Sequence, residues 1–271
     1  MRVPFVKMHG LGNDFVVLDG RERSLPALSG GIVRRLADRH EGIGCDQLIA
    51  LELSQGDDAD LGMRIFNSDG SEVESCGNAS RAVALLIGRT ARVETGGGII
   101  ALSPHDGGAS VDMGEPRFEW DAIPLAYPMD TLSMPVGWDG LEGPAAARVG
   151  NPHVVFFTED SDAVPLGEIG PVVETDPLFP EKINVHVATV ESRTRIRMRS
   201  WERGAGLTRA CGTGACATAV TAMRRGLVER EVTVALPGGE LTIAWGADNR
   251  IIMTGPATES FRGEFEWSAF A

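Results

Sequence analysis

One feature constrains this chain more than any other: part of it is written twice. "RIFNSDGSEVESCGNASRAVALLIGR" (64–89) and "RMRSWERGAGLTRACGTGACATAVTAMRR" (197–225) follow one plan. Each runs through an alternating, strand-like segment, a polar-polar-Gly turn, a short link, a cysteine, a glycine and an apolar helical stretch. The matched cysteines, Cys76 and Cys211, lie half a chain length apart in 271 residues. "GNDFVVLD" from Gly12 and "GNPHVVFF" from Gly150 keep nearly the same offset. Two similar halves are expected, each with a cysteine at the start of a helix.

Around those helices the pattern is mostly strand. "ARVETGGGIIALSP", "ASVDMG", "INVHVATVESRTRIRMRSW" and "EVTVALPGGELTIAWGADNRIIMTG" alternate or run apolar between turn residues, with Pro-Gly-Gly and Ala-Asp-Asn marking hairpins. Helices are expected at roughly Gly30 to Asp38, Asn78 to Gly88 and Gly212 to Arg225. The fold class is α+β: two pseudo-symmetric halves, each a largely antiparallel sheet or barrel around a central helix. A Pro-rich, weakly periodic stretch, "PRFEWDAIPLAYPMDTLSMPVGWDGLEGPAAA" (116–147), lies between the halves and puts the boundary near Glu119. The expected domains are 1–118, carrying Cys76, and 119–258, carrying Cys211, with the strand at about 259–271 returning to the first.

A net charge of −13 and a pI near 4.9 argue against nucleic acid, whose phosphates demand a basic face. No apolar run approaches the eighteen or so residues of a membrane span, and "MRVPFVKMHG" has no signal-peptide core. A cytoplasmic protein acting on a small molecule is expected. Four cysteines without C-x-x-C spacing read as free thiols rather than disulfides or a zinc site.

A thiol at a helix N-terminus is pushed toward thiolate by the partial positive charge there. Cys216 sits about 140° further round the helix than Cys211, so the two cannot serve one site. Cys45 and Cys216 read as small buried residues. Two facing thiols, one per half, could invert an amino acid at Cα: a thiolate removes the proton from one face while a thiol delivers another from the opposite face. The substrate carboxylate would sit on the helix-start N–H groups, where charge building up in the carbanionic transition state is also stabilised.

Cofactor routes to the same inversion fit poorly. Lys7 and Lys182 are the only lysines, and neither neighbours a convincing phosphate cradle for pyridoxal phosphate. Gly212-Thr213-Gly214 matches only the start of a dinucleotide fingerprint, and the five histidines lack metal-ligand spacing. The expectation is no cofactor and no metal.

"KMHGLGNDFVVLD", "GIGCDQL", "FNSDGSEVESCGN", "GNPH", "INV" and "ERGAGLTRACGTGAC" occur in the order and spacing of the diaminopimelate epimerase family, which this chain resembles nearly end to end. The resemblance implies a cofactor-independent isomerase, a homodimer of lysine and peptidoglycan precursor biosynthesis, interconverting LL-2,6-diaminopimelate and meso-diaminopimelate. It implies Cys76 and Cys211 as the acid/base pair. Gly77, Asn78, Gly212 and Thr213 would meet the reacting carboxylate, with Asn13 and Gln47 lining the same pocket. Asn67, Asn151, Asn184 and Arg203 would hold the distal amino-acid end, where an Arg fork suits a carboxylate. Glu202 and His153 are implied as neighbours that tune the thiols and meet the substrate ammonium. The chain departs from the family's common Cys-Gly-Asn-Gly at Ala79, where a helical φ would make the extra methyl harmless.

Two rivals stand beside this reading. One is a racemase for another amino acid with a different side-chain pocket, and the other is a redox or binding protein whose two thiols form a reversible disulfide.

Overall fold

The structure, a computed structural model, describes residues 1–54, 56–74 and 76–270. The chain divides into two compact units, Met1–Val111 with Gly255–Ala271, and Asp112–Thr254. Both divisions fall earlier than the expected 118/119 and 258/259. Asp112 accepts from Arg250 Nε at 2.7 Å, the Met113 N–H donates to Ile251 O at 2.8 Å and the Arg117 N–H to Arg148 O at 3.0 Å. These bonds tie the segment after Val111 to the second unit.

The first unit contains β1 (Arg2–Gly10), β2 (Asn13–Asp19), α1 (Gly30–Ala37), β3 (Gln47–Glu52), β4 (Leu61–Asn67), β5 (Glu72–Val73), α2 (Gly77–Ile87), β6 (Ala91–Thr95) and β7 (Gly98–His105). β8 (Gly108–Asp112) ends at its boundary. The second contains β9 (Gly137–Trp138), β10 (Leu141–Glu142), β11 (Ala145–Val149), β12 (Asn151–Phe157), α3 (Leu166–Glu174), β13 (Asn184–Ser192), β14 (Arg195–Glu202), β15 (Gly206–Thr208), α4 (Gly212–Arg224), β16 (Glu231–Leu236) and β17 (Gly239–Trp245). β18 (Ile251–Pro256) spans the second boundary, and β19 (Thr258–Glu266) pairs antiparallel with β1.

The duplication is explicit in the ladders. In the first unit β1–β2 is antiparallel, β2–β3 parallel, β3–β4 and β4–β5 antiparallel, β4–β6 parallel and β6–β7 antiparallel. In the second, β11–β12, β12–β13, β13–β14, β14–β15, β14–β16 and β16–β17 repeat those senses in order. Each central helix leaves the short strand that follows its unit's hairpin. α2 packs against β1, β7 and β19, and α4 against β11, β12 and β17. Residues Gly212 through Ala222 of α4 are buried on every side, which small Gly, Ala, Cys and Thr side chains permit.

The sequence reading expects no helix at Leu166–Glu174, since Gly167, Gly170 and Pro171 depress local propensity. Leu166, Ile169 and Val173 nevertheless fill the second unit's core beside Phe156, Val185 and Phe179, and tertiary packing outweighs propensity there.

Candidate functional site

Tight turns set the first polar residue of each frame. Leu11 and Gly12 both have positive φ (57° and 85°) and deliver Asn13, while Gly150 (φ 76°) delivers Asn151. In the parallel ladders Phe15 faces Gln47 and His153 faces Asn184, so Gln47 and Asn184 hold matching places. Gln47 faces Asn67 across the next ladder. The β13–β14 ladder starts at the Val185–Trp201 pair, and Asn184 and Glu202 are the next residues out on the two strands. Each frame then reaches its cysteine nine residues on, Asn67 to Cys76 and Glu202 to Cys211.

The first unit gathers Asn13, Gln47, Asn67, Cys76, Gly77 and Asn78. Cys76 is the N-cap of α2, and its half-buried Sγ accepts the Ala79 N–H at 3.5 Å. Asn13 Oδ1 lies 3.9 Å from Cys76 Sγ and accepts from Asn78 Nδ2 at 3.2 Å. Asn78 Oδ1 in turn accepts from Arg81 Nη2 at 2.7 Å. Arg81, wholly buried, also donates to Gly77 O and Pro256 O, a role the motif reading did not give it. Ala79 is helical and buried, and its φ is not positive, so the methyl that departs from the family pattern is accommodated.

Asn13 and Gln47 are held by charge at the starts of β2 and β3. Asp14 Oδ2 accepts from Lys7 Nζ at 2.5 Å and Asp14 Oδ1 from Arg39 Nη2 at 2.6 Å, while Arg39 also reaches Asp46 Oδ1 at 2.8 Å. Burial works to raise the Asp14 carboxyl, but bonds from Arg39 and Lys7 outweigh it and hold it far below its ordinary value. Asp46 Oδ2 accepts from Asn13 Nδ2 at 3.1 Å. Gln47 Nε2 donates to Asn67 Oδ1 at 3.0 Å, leaving Gln47 Oε1 buried with no partner among the described residues.

The second unit gathers Asn151, His153, Asn184, Glu202, Arg203, Cys211, Gly212 and Thr213. Cys211 is the N-cap of α4 and only 3% exposed, with Thr213 Oγ1 at 3.7 Å from its Sγ. Burial pushes the Cys211 thiol well above its ordinary value, and the Glu202 carboxylate pushes the same way. The helix end, expected to favour thiolate, is overridden, and Cys211 rests as a thiol. Glu202 Oε1 accepts from Thr208 Oγ1 at 2.5 Å, so Thr208 fixes the carboxylate that acts on Cys211.

Arg203 is exposed at the hairpin tip between β14 and β15, with Nη1 donating to Glu181 O at 2.9 Å. Its backbone N–H donates to Asn184 Oδ1 at 3.0 Å, while Asn184 Nδ2 donates to Pro152 O at 2.9 Å. Asn184, 2% exposed, therefore braces the site from within. The tip is also clamped from α3: buried Glu174 accepts from Trp201 Nε1 at 2.7 Å and from the Gly204 N–H at 3.2 Å.

His153 sits in the interior of the second frame. It is wholly buried, with Nδ1 2.9 Å from His186 Nε2 and Nε2 2.7 Å from Asn151 Oδ1. Burial, with His186 and Arg203 nearby, holds its pKa well below 6.5, so it is neutral and offers no imidazolium to a thiol, and both ring nitrogens already have partners. His186, Thr208, Glu174 and Arg81 were missed as site-shaping residues. A histidine at an interior position of the alternating strand "INVHVATV" was the one signal available for His186.

This two-half α+β fold is shared with a PhzF-family phenazine biosynthesis protein of Enterococcus faecalis (TM-score 0.73, 15% identity, covering 98% of this chain and 100% of that one). It is also that of a hydroxyproline epimerase of Agrobacterium vitis (TM-score 0.68, 15% identity, covering 97% and 92%). Those identities speak to fold alone. The profile of the diaminopimelate epimerase family matches residues 5–119 and 145–259, and the chain belongs to that family. It is 66% identical to the diaminopimelate epimerase of Erythrobacter litoralis over the full length of both chains. It is 61% identical to that of Rhizorhabdus wittichii, over 100% of this chain and 98% of the relative.

Proposed function

We propose that this chain interconverts LL-2,6-diaminopimelate and meso-diaminopimelate by moving one Cα proton between two thiol bases, Cys76 and Cys211. The observation that carries the reading is the repeated frame: in each unit a cysteine caps a buried central helix beside a set of amide and carboxyl side chains at matching ladder positions. One base takes the proton from one face of Cα and the other supplies a proton to the opposite face. The backbone N–H groups of Gly77, Asn78, Gly212 and Thr213 receive the reacting carboxylate and the charge that grows on it in the transition state. Gln47 Oε1, buried and unpartnered, suits the substrate ammonium, which supplies donors. Arg203, Asn151 and Asn67 are assigned to the distal amino-acid end, with Asn184 bracing the Arg203 tip. Glu202 keeps Cys211 protonated until it is needed. The proposal extends to a homodimer acting in the cytoplasm, without cofactor or metal, on a route to lysine and peptidoglycan precursors.

The experiment is proton NMR of the purified protein with LL- and meso-diaminopimelate in deuterium oxide. Either isomer alone should give the same mixture, with solvent deuterium at the inverted Cα. A protein that only binds, or only cycles a disulfide, leaves the Cα hydrogen in place, and that result sinks the proposal. Exchange with another amino acid but not with diaminopimelate would favour the rival racemase.

A further inference from the structure

Four polar residues of the second unit form an unbroken chain through its interior, and the mechanism above uses only the last. Ser200 Oγ lies 2.9 Å from His186 Nδ1, His186 Nε2 lies 2.9 Å from His153 Nδ1, and His153 Nε2 lies 2.7 Å from Asn151 Oδ1. Both imidazoles are wholly buried and Ser200 is 2% exposed. The ring centroids are 5.1 Å apart, at 34°.

The chemistry of the ends sets the polarity of the chain. Asn151 Oδ1 only accepts, so His153 Nε2 carries a hydrogen. Each ring is wholly buried, so a charge on either would lose its hydration, and a charge on both would add repulsion; both rings are therefore neutral. His153 Nδ1 therefore accepts from His186 Nε2–H, and His186 Nδ1 accepts from the Ser200 hydroxyl. Burial agrees with this, holding His153 well below 6.5 and His186 at about 3.

The other side of His186 faces the first turn of α4. A Cβ on Gly214 would lie 2.3 Å from His186 Cε1, so only glycine admits the ring there. His186 is thus fixed by Ser200 on one side and by the helix start that Cys211 caps on the other. At the far end of the chain, Asn151 Nδ2 has no hydrogen-bond partner among the described residues.

We propose that His186 is a positioning residue. Anchored by Ser200 and seated against Gly214, it fixes His153 in one tautomer and through it holds Asn151 by its oxygen. The Asn151 amide hydrogens are then left for a carboxylate oxygen of the substrate. The inference rests on the reading of Asn151 as a substrate contact.

The test combines imidazole 15N NMR with steady-state kinetics on diaminopimelate for the wild type, His186→Leu, His186→Gln and Ser200→Ala. In the wild type both rings should be neutral Nε2–H tautomers from about pH 5.5 to about 8. In His186→Leu the His153 tautomer is no longer fixed, and KM should rise about 3- to 10-fold while kcat changes less, as expected for one lost orienting hydrogen bond. His186→Gln, whose carboxamide can still donate to His153 Nδ1, should recover most of the loss. A folded His186→Leu protein with wild-type KM overturns the proposal. So does a wild-type His153 found as imidazolium or as the Nδ1–H tautomer. Should His186→Leu fail to fold, Ser200→Ala decides: a KM rise of about 2-fold with a shifted His186 resonance supports the chain, and no change in either overturns it. An inactive wild type would defeat the proposed function, whereas the NMR would still decide the His186–His153 geometry.

Discussion

The two units build the same frame from opposite electrostatics. Around Cys76 the frame is held by cations: Lys7 and Arg39 on the Asp14–Asp46 pair, and wholly buried Arg81 on Asn78 and Gly77. Around Cys211 it is held by neutral histidines and an anion, with His186 and His153 behind Asn151 and Glu202 beside the thiol. Arg81 and Cys216 both lie five residues beyond their unit's cysteine, so a guanidinium in α2 takes the place of a thiol in α4. A repeated backbone thus does not make two equivalent thiol environments. In the second frame burial first, and the Glu202 carboxylate second, hold the proton on Cys211.

The harshest challenge to that comparison is to remove each helix-capping cysteine in turn. Cys76→Ser and Cys211→Ser should each lose at least about 10²-fold in kcat with circular dichroism unchanged, because a hydroxyl fills the space but is far too weak an acid to serve as the base. If one variant retained more than about a tenth of wild-type turnover, its unit would be a scaffold and not a catalytic half.

Arg203→Lys comes next. The matching place in the first unit is Ser68, so only the second unit offers a guanidinium at this turn. Replacing a planar fork with a point charge should lower kcat/KM for LL-diaminopimelate about 10- to 100-fold. Equal kcat/KM in a folded variant would remove distal-end reading from the second unit.

Glu202→Gln isolates the electrostatic difference itself. A carboxylate beside a thiol disfavours thiolate, so its removal should bring the Cys211 pKa down toward the ordinary value. Alkylation of Cys211 by iodoacetamide, followed by mass spectrometry across pH, should show its midpoint move to lower pH and its rate at fixed pH rise several-fold, on the order of 3- to 10-fold. A midpoint that stayed put would mean burial alone sets the Cys211 proton.

The smallest effect is expected from the other thiols. Cys45 and Cys216 are buried, and burial pushes the Cys45 thiol up to about 11. Cys45→Ser and Cys216→Ala should keep kcat within about 2-fold of wild type, since the proposed proton transfer uses neither group. A large loss in Cys216→Ala would mean that the α4 helix needs more than small volume at the position where α2 carries Arg81.

What the sequence determined by itself is the repeated part of this protein. Cysteine-glycine pairs before small-residue helices, the Leu11-Gly12 and Gly150 turns, and alternating strands cut by Pro-Gly-Gly are local signals, and the helix starts and hairpins follow them. The family follows from the same ordered motifs. What only the tertiary structure decided are the properties that depend on partners far along the chain and on the loss of water around them. Cys211 is a thiol because burial and Glu202 outweigh the helix end, which a reading of "RACGTG" credits alone. His153 is neutral because His186, 33 residues away, occupies one nitrogen and the interior excludes water. Asn184 braces Arg203 and Pro152 instead of standing open, and α3 forms around Pro171 because its apolar side chains complete a core. Desolvation and long-range hydrogen bonds act over distances that no sequence window spans, so positions could be read from the chain while protonation states could not.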